Sequence, residues 1–560
     1  MKTINKKQNI FKKLTPKTVL VIAMLLVCIG IIFYFSIQRF MPSRVMTDKS
    51  TLFQLKENQI PLIYQFEQSS DFAVQNKNEY YFPISFINHY IDSRFFLDEI
   101  EQKLLYALPD QLLEFSITEE TQTGQPKFLT FQENLYLSSI FIQEYTDFFY
   151  QVYEDKPARI VVYPKDIPLA QATVKKKTAL RVKEGIKSAT IEKINKNQSV
   201  YIIDSSQTWS LIQTETGFIG YIPNQNFTKK EDKIFSSSKI VDYKNIQKPY
   251  PIKLGWHQVT TKKANDNLEN ILKQTKGLNT ISPTWFFLSD EKGNIESLAT
   301  PEYVQKAHSL NLEVWGLIEN IKYQIDEWNL FTSTANRKRL VNTLIQEALR
   351  CDLDGLNVDI EALNERAAPA YLQFLRELSI ACRQHSLVLS IDNYVPSPSS
   401  AFYNRKEQGI IADYIMIMAY DEHYASSPTP GSVASLPFVS DGIVDTLKEV
   451  PKEKVITAIP FYARIWKEEN GKLSSESLSL QRIQQLIQEK NLSLNWLDNI
   501  GQYYTEYMEG NSNRKIWIED GTSLDLKMKL IQEHQLAGVA CWKLGLETPD
   551  VWNIIDNYLH

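Results

Sequence analysis

A chain of 560 residues, 43% hydrophobic and carrying 28 tyrosines, has the length for three or four domains with large cores. Its formal charge of -5 is unevenly spread: residues 1–49 hold nine Lys or Arg against one Asp, which leaves -13 on residues 50–560. The acidic bulk excludes a general nucleic-acid role, and four cysteines (Cys28, Cys351, Cys382, Cys541) and seven histidines without ligand spacing argue against a disulfide framework, a metal site or a cofactor.

From Thr18 to Gln38 no residue is charged. As a helix rising about 1.5 Å per residue this segment spans roughly the 30 Å hydrocarbon core, so residues 18–38 are expected to cross a membrane. Lys2, Lys6, Lys7, Lys12, Lys13 and Lys17 precede it without an acidic residue, which predicts a cytoplasmic basic tail at residues 1–17 and an extracellular bulk. A cleaved signal peptide is the competing reading. The length of the apolar run, and Phe35-Ser36-Ile37-Gln38-Arg39 in place of a small-x-small cleavage pattern, favour an uncleaved, single-pass anchor.

Residues 50–165 are rich in aromatics and repeat weakly at an offset of 55: Tyr81, Phe86, Ile87, Tyr90 and Asp92 recur as Tyr136, Phe141, Ile142, Tyr145 and Asp147. Each copy reads as a short strand entering a short helix, and the pair as one small α+β module. The pattern resembles amine-oxidase N-terminal-like modules of exported bacterial proteins, which implies a spacer without copper chemistry; glycan binding is the other reading. Residues 172–227 change to short alternating segments with the spacing of a small β-barrel. This stretch resembles a bacterial SH3-like domain, which implies contact with wall peptide or glycan, while Trp209 and Tyr221 suit such contact or a core equally.

After a polar linker at 228–247, residues 248–560 alternate apolar runs with helical periods, the signature of an α/β fold closed as a TIM (β/α)8 barrel. Eight strands are predicted: Ile252 to Trp256, Trp285 to Leu288, Glu313 to Ile318, Gly355 to Glu361, Val388 to Asp392, Tyr414 to Tyr420, Val455 to Pro460 and Gly538 to Trp542. Leu340, Val341, Leu344, Ile345, Ala348 and Leu349 form one helical stripe with Ser333 or Thr334 as its cap, and Tyr371, Phe374, Leu375, Leu378, Ala381 and Cys382 form another.

The fourth strand carries the chemistry. In Asp354-Gly355-Leu356-Asn357-Val358-Asp359-Ile360-Glu361 a period of two sends Leu356, Val358 and Ile360 to one face and Asn357, Asp359 and Glu361 to the other. A polar face on a buried strand suits a lumen that opens into an active site. Asp354, on the other parity, reads as a supporting residue.

This run resembles the DxxDxDxE signature of family 18 glycoside hydrolases, and Met418-Ala419-Tyr420-Asp421 and the late-strand Trp542 match further family features. Within that family the barrel is similar to the peptidoglycan-active, spore-cortex-type N-acetylglucosaminidases of Gram-positive bacteria, which share Trp285-Phe286, Met418 to His423 and Pro460-Phe461-Tyr462-Ala463-Arg464. The resemblance implies that Glu361 protonates the glycosidic oxygen while the substrate's own acetamido oxygen attacks the anomeric carbon, a substrate-assisted, retaining route. It implies that Asp359 holds the acetamido N–H and helps raise the Glu361 pKa, that Tyr420 orients the acetamido group, and that Trp542 floors the sugar. Asn357 stands where most members have a middle Asp, so the three-acid relay is shortened. Further expected glycan contacts are Trp256, Trp285, Asn393, Asp421, Tyr462 and Arg464, and Glu422 and His423 after the sixth strand are candidates with them. The expected partners are peptidoglycan or another N-acetylglucosamine-containing glycan and, through the N-terminal helix, a membrane. The alternatives are a chitin or chitooligosaccharide hydrolase of the same mechanism, and an inactive glycan-binding surface protein.

Overall fold

The computed structural model describes residues 16–121, 124–239 and 241–559, so most of the predicted basic tail lies outside the described residues. An α-helix over Pro16–Phe40 takes in the predicted apolar segment, and from Lys17 it is long and apolar enough to cross a membrane. The chain divides into two compact units. The first runs to Ser93 and resumes at Thr118, and the second joins Arg94–Ile117 to the chain from Val241 onward.

In the first unit the 55-residue repeat is visible in the backbone. Strand Glu79–Pro83 enters helix Ile84–Tyr90, and strand Asn134–Ser138 enters helix Ser139–Tyr145, every bound displaced by the same offset. The two strands pair antiparallel, Phe82 opposite Leu137, inside a seven-stranded sheet. Tyr81, Phe86, Ile87, Tyr136, Phe141 and Ile142 are all buried, so most of the recurring residues recur because they fill the same core positions. A second sheet of seven strands, antiparallel throughout, occupies Gln171–Val174 through Phe227–Lys229 around Val174, Leu180, Val200, Ile212, Phe218 and Ile222. Gly220 is required there, because a Cβ would sit 2.6 Å from the Arg181 carbonyl oxygen. Trp209 and Tyr221 are half-buried. The predicted linker at 228–247 is folded in its first half: Lys233 and Phe235 bridge to Leu169 and Lys165.

The second unit departs from the predicted domain boundary at its first segment. Strands Phe95–Asp98, Lys103–Ala107 and Leu112–Ser116 form a separate three-stranded meander. The fully buried Asp98 carboxylate accepts the Thr334 backbone N–H at 2.7 Å, and Glu114 pairs with Lys338, so these strands are held at the start of helix Thr334–Cys351. Ser333 caps that helix, accepting the Asn336 N–H. Leu349, placed on the buried stripe by period alone, is 52% exposed at the helix end.

The eight expected strands are present and all parallel: β1 (Ile252–His257), β2 (Thr280–Leu288), β3 (Glu313–Glu319), β4 (Gly355–Asp359), β5 (Val388–Tyr394), β6 (Tyr414–Met418), β7 (Val455–Pro460) and β8 (Gly538–Trp542). Pairing of β1 with both β2 and β8 closes the barrel. Leu254, Trp256, Trp315, Leu317, Met416, Ile456, Ala458 and Ala540 fill its lumen, while the opposite parity packs against the helices. Between β7 and β8 the chain builds an insertion that the sequence reading did not separate. Five antiparallel strands from Tyr462–Glu469 to Ser512–Ile518 and helix Leu480–Lys490 surround a core of Ile465, Ile483, Leu486, Ile516 and Ile518. The signal available was length: a βα crossover needs far fewer residues than this stretch contains.

Candidate active site

Two-residue alternation places the β4 side chains as expected. Leu356, Val358 and Ile360 enter the helix-facing core, and Asn357 and Asp359 enter the lumen. Glu361 lies two residues beyond β4, on the rim, where Asn320 clamps its backbone: Glu361 N–H donates to Asn320 Oδ1 at 3.0 Å, and Asn320 Nδ2 donates to the Glu361 carbonyl at 2.8 Å. The next residue, Ala362, has φ +50°, and its N–H donates to the Tyr394 hydroxyl at 3.2 Å. A backbone N–H can only donate, so the Tyr394 proton is directed to its other neighbour, Glu361 Oε2, at 2.8 Å.

Burial raises the Glu361 pKa, the Tyr394 hydrogen bond opposes that rise, and the charge of Asp421 adds to it. The repulsion expected from Asp359 falls instead on Asp359 itself. Burial, then Asp392, Glu361 and Glu319, push that carboxyl well above its ordinary range, because the more desolvated member of an acidic pair takes up the proton. Removing the Tyr394 hydroxyl withdraws a bond that favours ionised Glu361. Tyr394→Phe is therefore expected to shift the alkaline limb of the kcat profile to higher pH and to lower kcat about tenfold. An unmoved limb would disprove the coupling.

One layer below, Trp256 Nε1 and Ser282 Oγ both donate to Asn357 Oδ1, at 2.9 and 3.0 Å, and Asn357 Nδ2 donates to Asp392 Oδ1 at 2.8 Å. Trp256, 1% exposed, is thus a lumen wedge and no sugar platform. Three further expectations are corrected. Trp285 is fully buried on the helix side, donating to Asn265 Oδ1 and packed edge-on against Tyr303. Asn393 also faces outward, its amide bonded to Gln408 at 2.6 Å. Asp354 lies at the opposite end of β4, where it accepts from the Val314 N–H and contacts His308 Nε2, both at 2.8 Å, and so pins strand starts.

The other candidates gather on the rim. Tyr420 follows β6, and its buried hydroxyl is kept neutral by desolvation and by Asp359, Tyr462, Glu361 and Asp392. Tyr462, the first residue of the insertion, donates to Asp421 Oδ1 at 2.6 Å, and Arg464 Nη1 lies 3.2 Å from Ser475 Oγ. Glu422 and His423 turn instead to hold the following loop, through Ser435 N–H and the Ser432 carbonyl. Trp542 ends β8, edge-on to Trp256, between two cavities. One, of about 380 Å³, is lined by Glu361, Asp359, Glu319, Phe287 and Lys322; the other, of about 390 Å³, by Asp421, Tyr462, Arg464 and Lys543.

Sequence reasoning missed Asp392, Tyr394, Glu319 and Asn320. Ser390, Asp392 and Tyr394 share one parity of β5, and that alternation was the available signal.

The model of glycosyl hydrolases family 18 matches residues 256–547. The chain belongs to this family. Among curated relatives, the uncharacterized glycosylase YvbX of Bacillus subtilis is 25% identical over 284 residues, 48% of this chain and 81% of that protein. The cortical fragment-lytic enzyme of B. subtilis is 24% identical over 307 residues, 52% and 71% of the two chains. Among solved structures, the Bacillus cereus spore cortex-lytic enzyme SleL aligns with a TM-score of 0.51 at 19% identity, covering 55% of this chain and 74% of that one. The C-terminal domain of a putative chitinase from Desulfitobacterium hafniense aligns at 0.50 and 20%, covering 56% and 100%. The protein is a family 18 glycosidase related to spore cortex-lytic enzymes and chitinases.

Proposed function

We propose that the chain is a membrane-anchored, surface-facing enzyme that cleaves β-linked N-acetylglucosamine in peptidoglycan with retention of configuration. The observation that carries this reading is Glu361, a carboxyl whose pKa is raised by burial, beside an open cavity with Asp359 behind it. Glu361 protonates the leaving glycosidic oxygen, and the substrate's acetamido oxygen closes on the anomeric carbon as an oxazolinium ion. Asp359, whose Oδ1 is buried without a partner, accepts the acetamido N–H. Glu361 then takes a proton from the water that opens the ring. The neutral Tyr420 hydroxyl donates toward the acetamido group, and the Trp542 face receives the pyranose.

The wall substrate is supported by the cortical fragment-lytic relatives and by the apolar helix Pro16–Phe40, read as an uncleaved anchor. In this reading the sheet at Gln171–Lys229 is an SH3-like wall-binding module and the 55-residue repeat is a spacer. Full-length protein in detergent, given insoluble peptidoglycan and separately chitooligosaccharides, is expected to release fragments from the wall faster. By mass spectrometry these carry N-acetylglucosamine at the new reducing end, and proton NMR of the fresh product shows that sugar first as the β anomer. Cleavage of chitooligosaccharides alone would reassign the substrate to chitin, and release from neither would leave a glycan-binding surface protein.

A further inference from the structure

We propose that Asp392, delivered by β5, is the third acid of this centre and shares one proton with Asp359, doing from the neighbouring strand what Asn357 cannot do from β4. The inference rests on the glycosidase reading above and deepens it. Val358 pairs with Ile391, so Asp359 and Asp392 come one step later on adjacent strands that lie about 4.8 Å apart, with both side chains in the lumen. They are 8% and 3% exposed. Asp359 Oδ1 and Asp392 Oδ2 are each buried without a hydrogen-bond partner. Two such oxygens on neighbouring carboxyls are satisfied together by a single shared proton, whereas two ionised groups would leave a like-charge pair out of water.

Asn357 makes the arrangement specific. An indole N–H can only donate, so Trp256 fixes the Asn357 amide with its oxygen inward and its NH2 group toward Asp392 Oδ1. That leaves Asp392 Oδ2 for the shared proton. An Asp at 357 would set a second carboxylate against Asp392 Oδ1, so the amide at 357 and the acid at 392 belong together. The groups that act on the pair are Glu361, Glu319, Tyr420, Tyr371 and Tyr403, none of them cationic. When substrate enters, the Asp359 O–H bond breaks and the proton passes wholly to Asp392. Asp359 is then ionised to accept the acetamido N–H, with no change in total charge. Asp392 is a positioning residue: it reaches the substrate only through Asp359.

The test uses the full-length chain. Asp392→Asn is expected to lower kcat about 10- to 100-fold with KM changed less than threefold, and to move the acidic limb of the profile to higher pH, since a lone Asp359 carboxyl takes up its proton above the point at which the singly protonated pair takes up its second. Asn357→Asp/Asp392→Asn, which returns the acid to β4, is expected to recover at least tenfold of the loss. A single variant within twofold of wild type, or a folded double variant no better than Asp392→Asn, overturns the proposal. Infrared titration of the carboxyl band in substrate-free protein separates this outcome from failure of the glycosidase reading. Wild type is expected to show two separated steps for the pair, and Asp392→Asn one step between them. A remaining step that coincides with either wild-type step overturns the shared proton even if no substrate is ever cleaved.

Discussion

Glu361→Gln is expected to lower kcat on peptidoglycan fragments by about 10²- to 10⁴-fold, the range in which positioned general acids act. That corresponds to about 3–5 kcal/mol of transition-state stabilisation. Gln is nearly isosteric, and its amide oxygen still accepts from Tyr394 while the Asn320 clamp on the backbone is untouched. Binding to insoluble wall and thermal stability should therefore match wild type. The residual rate should also lack the alkaline limb of the wild-type profile, because the carboxyl whose deprotonation sets that limb is gone. Single-turnover rates on a defined oligosaccharide, alongside sedimentation with peptidoglycan, check both halves. A decrease under tenfold would remove Glu361 from the role of proton donor, and a parallel loss of binding would show that the carboxyl holds substrate in its ground state.

Much of this centre was legible because strand parity is a rigid rule. Once Leu356, Val358 and Ile360 were assigned to the helix side, Asn357 and Asp359 had nowhere to go but the lumen. The same rule was not carried to β5, where Asn393 drew attention as a polar residue near a strand end. Its parity places it against Gln408, and Asp392 beside it occupies the lumen. Tryptophans were over-read for a related reason. A large aromatic near a strand end suits sugar stacking and core filling alike, and only the direction of its indole N–H separates them. Trp256 points that donor at Asn357 and Trp285 at Asn265, while Trp542 is partly open beside both cavities. The Tyr394 contact depends on the left-handed turn at Ala362, a backbone feature with no compositional mark. The insertion at Tyr462–Ile518 escaped because its short alternating strands resemble barrel strands locally. The meander at 94–117 escaped because its anchor, Thr334, is remote in sequence from Asp98.

Asp359→Asn is expected to lower kcat by about 10²- to 10³-fold, with KM little changed. The side chain lies inside the lumen, within reach of the cavity beside Glu361, so it acts once the acetamido group begins to form the oxazolinium ring. At that point the acetamido N–H gains positive character, and a carboxylate stabilises it where an amide of the same shape does not. The pH dependence has a definite sign. Burial and the charges of Asp392, Glu361 and Glu319 raise the Asp359 pKa, so in wild type the ionised, acetamido-holding form is lost as pH falls through that raised value. In Asp359→Asn this acidic limb should disappear. Asp354→Asn, on the same strand but at its far end, should change kcat less than about twofold and keep the limb, although it loosens the contacts to Val314 and His308. A substrate in which a hydroxyl replaces the acetamido group gives the decisive comparison. If Asp359 works through that group, wild type and Asp359→Asn should cleave the substitute at equally low rates. A deficit of 10²-fold that persists on it would mean that Asp359 acts on Glu361 alone.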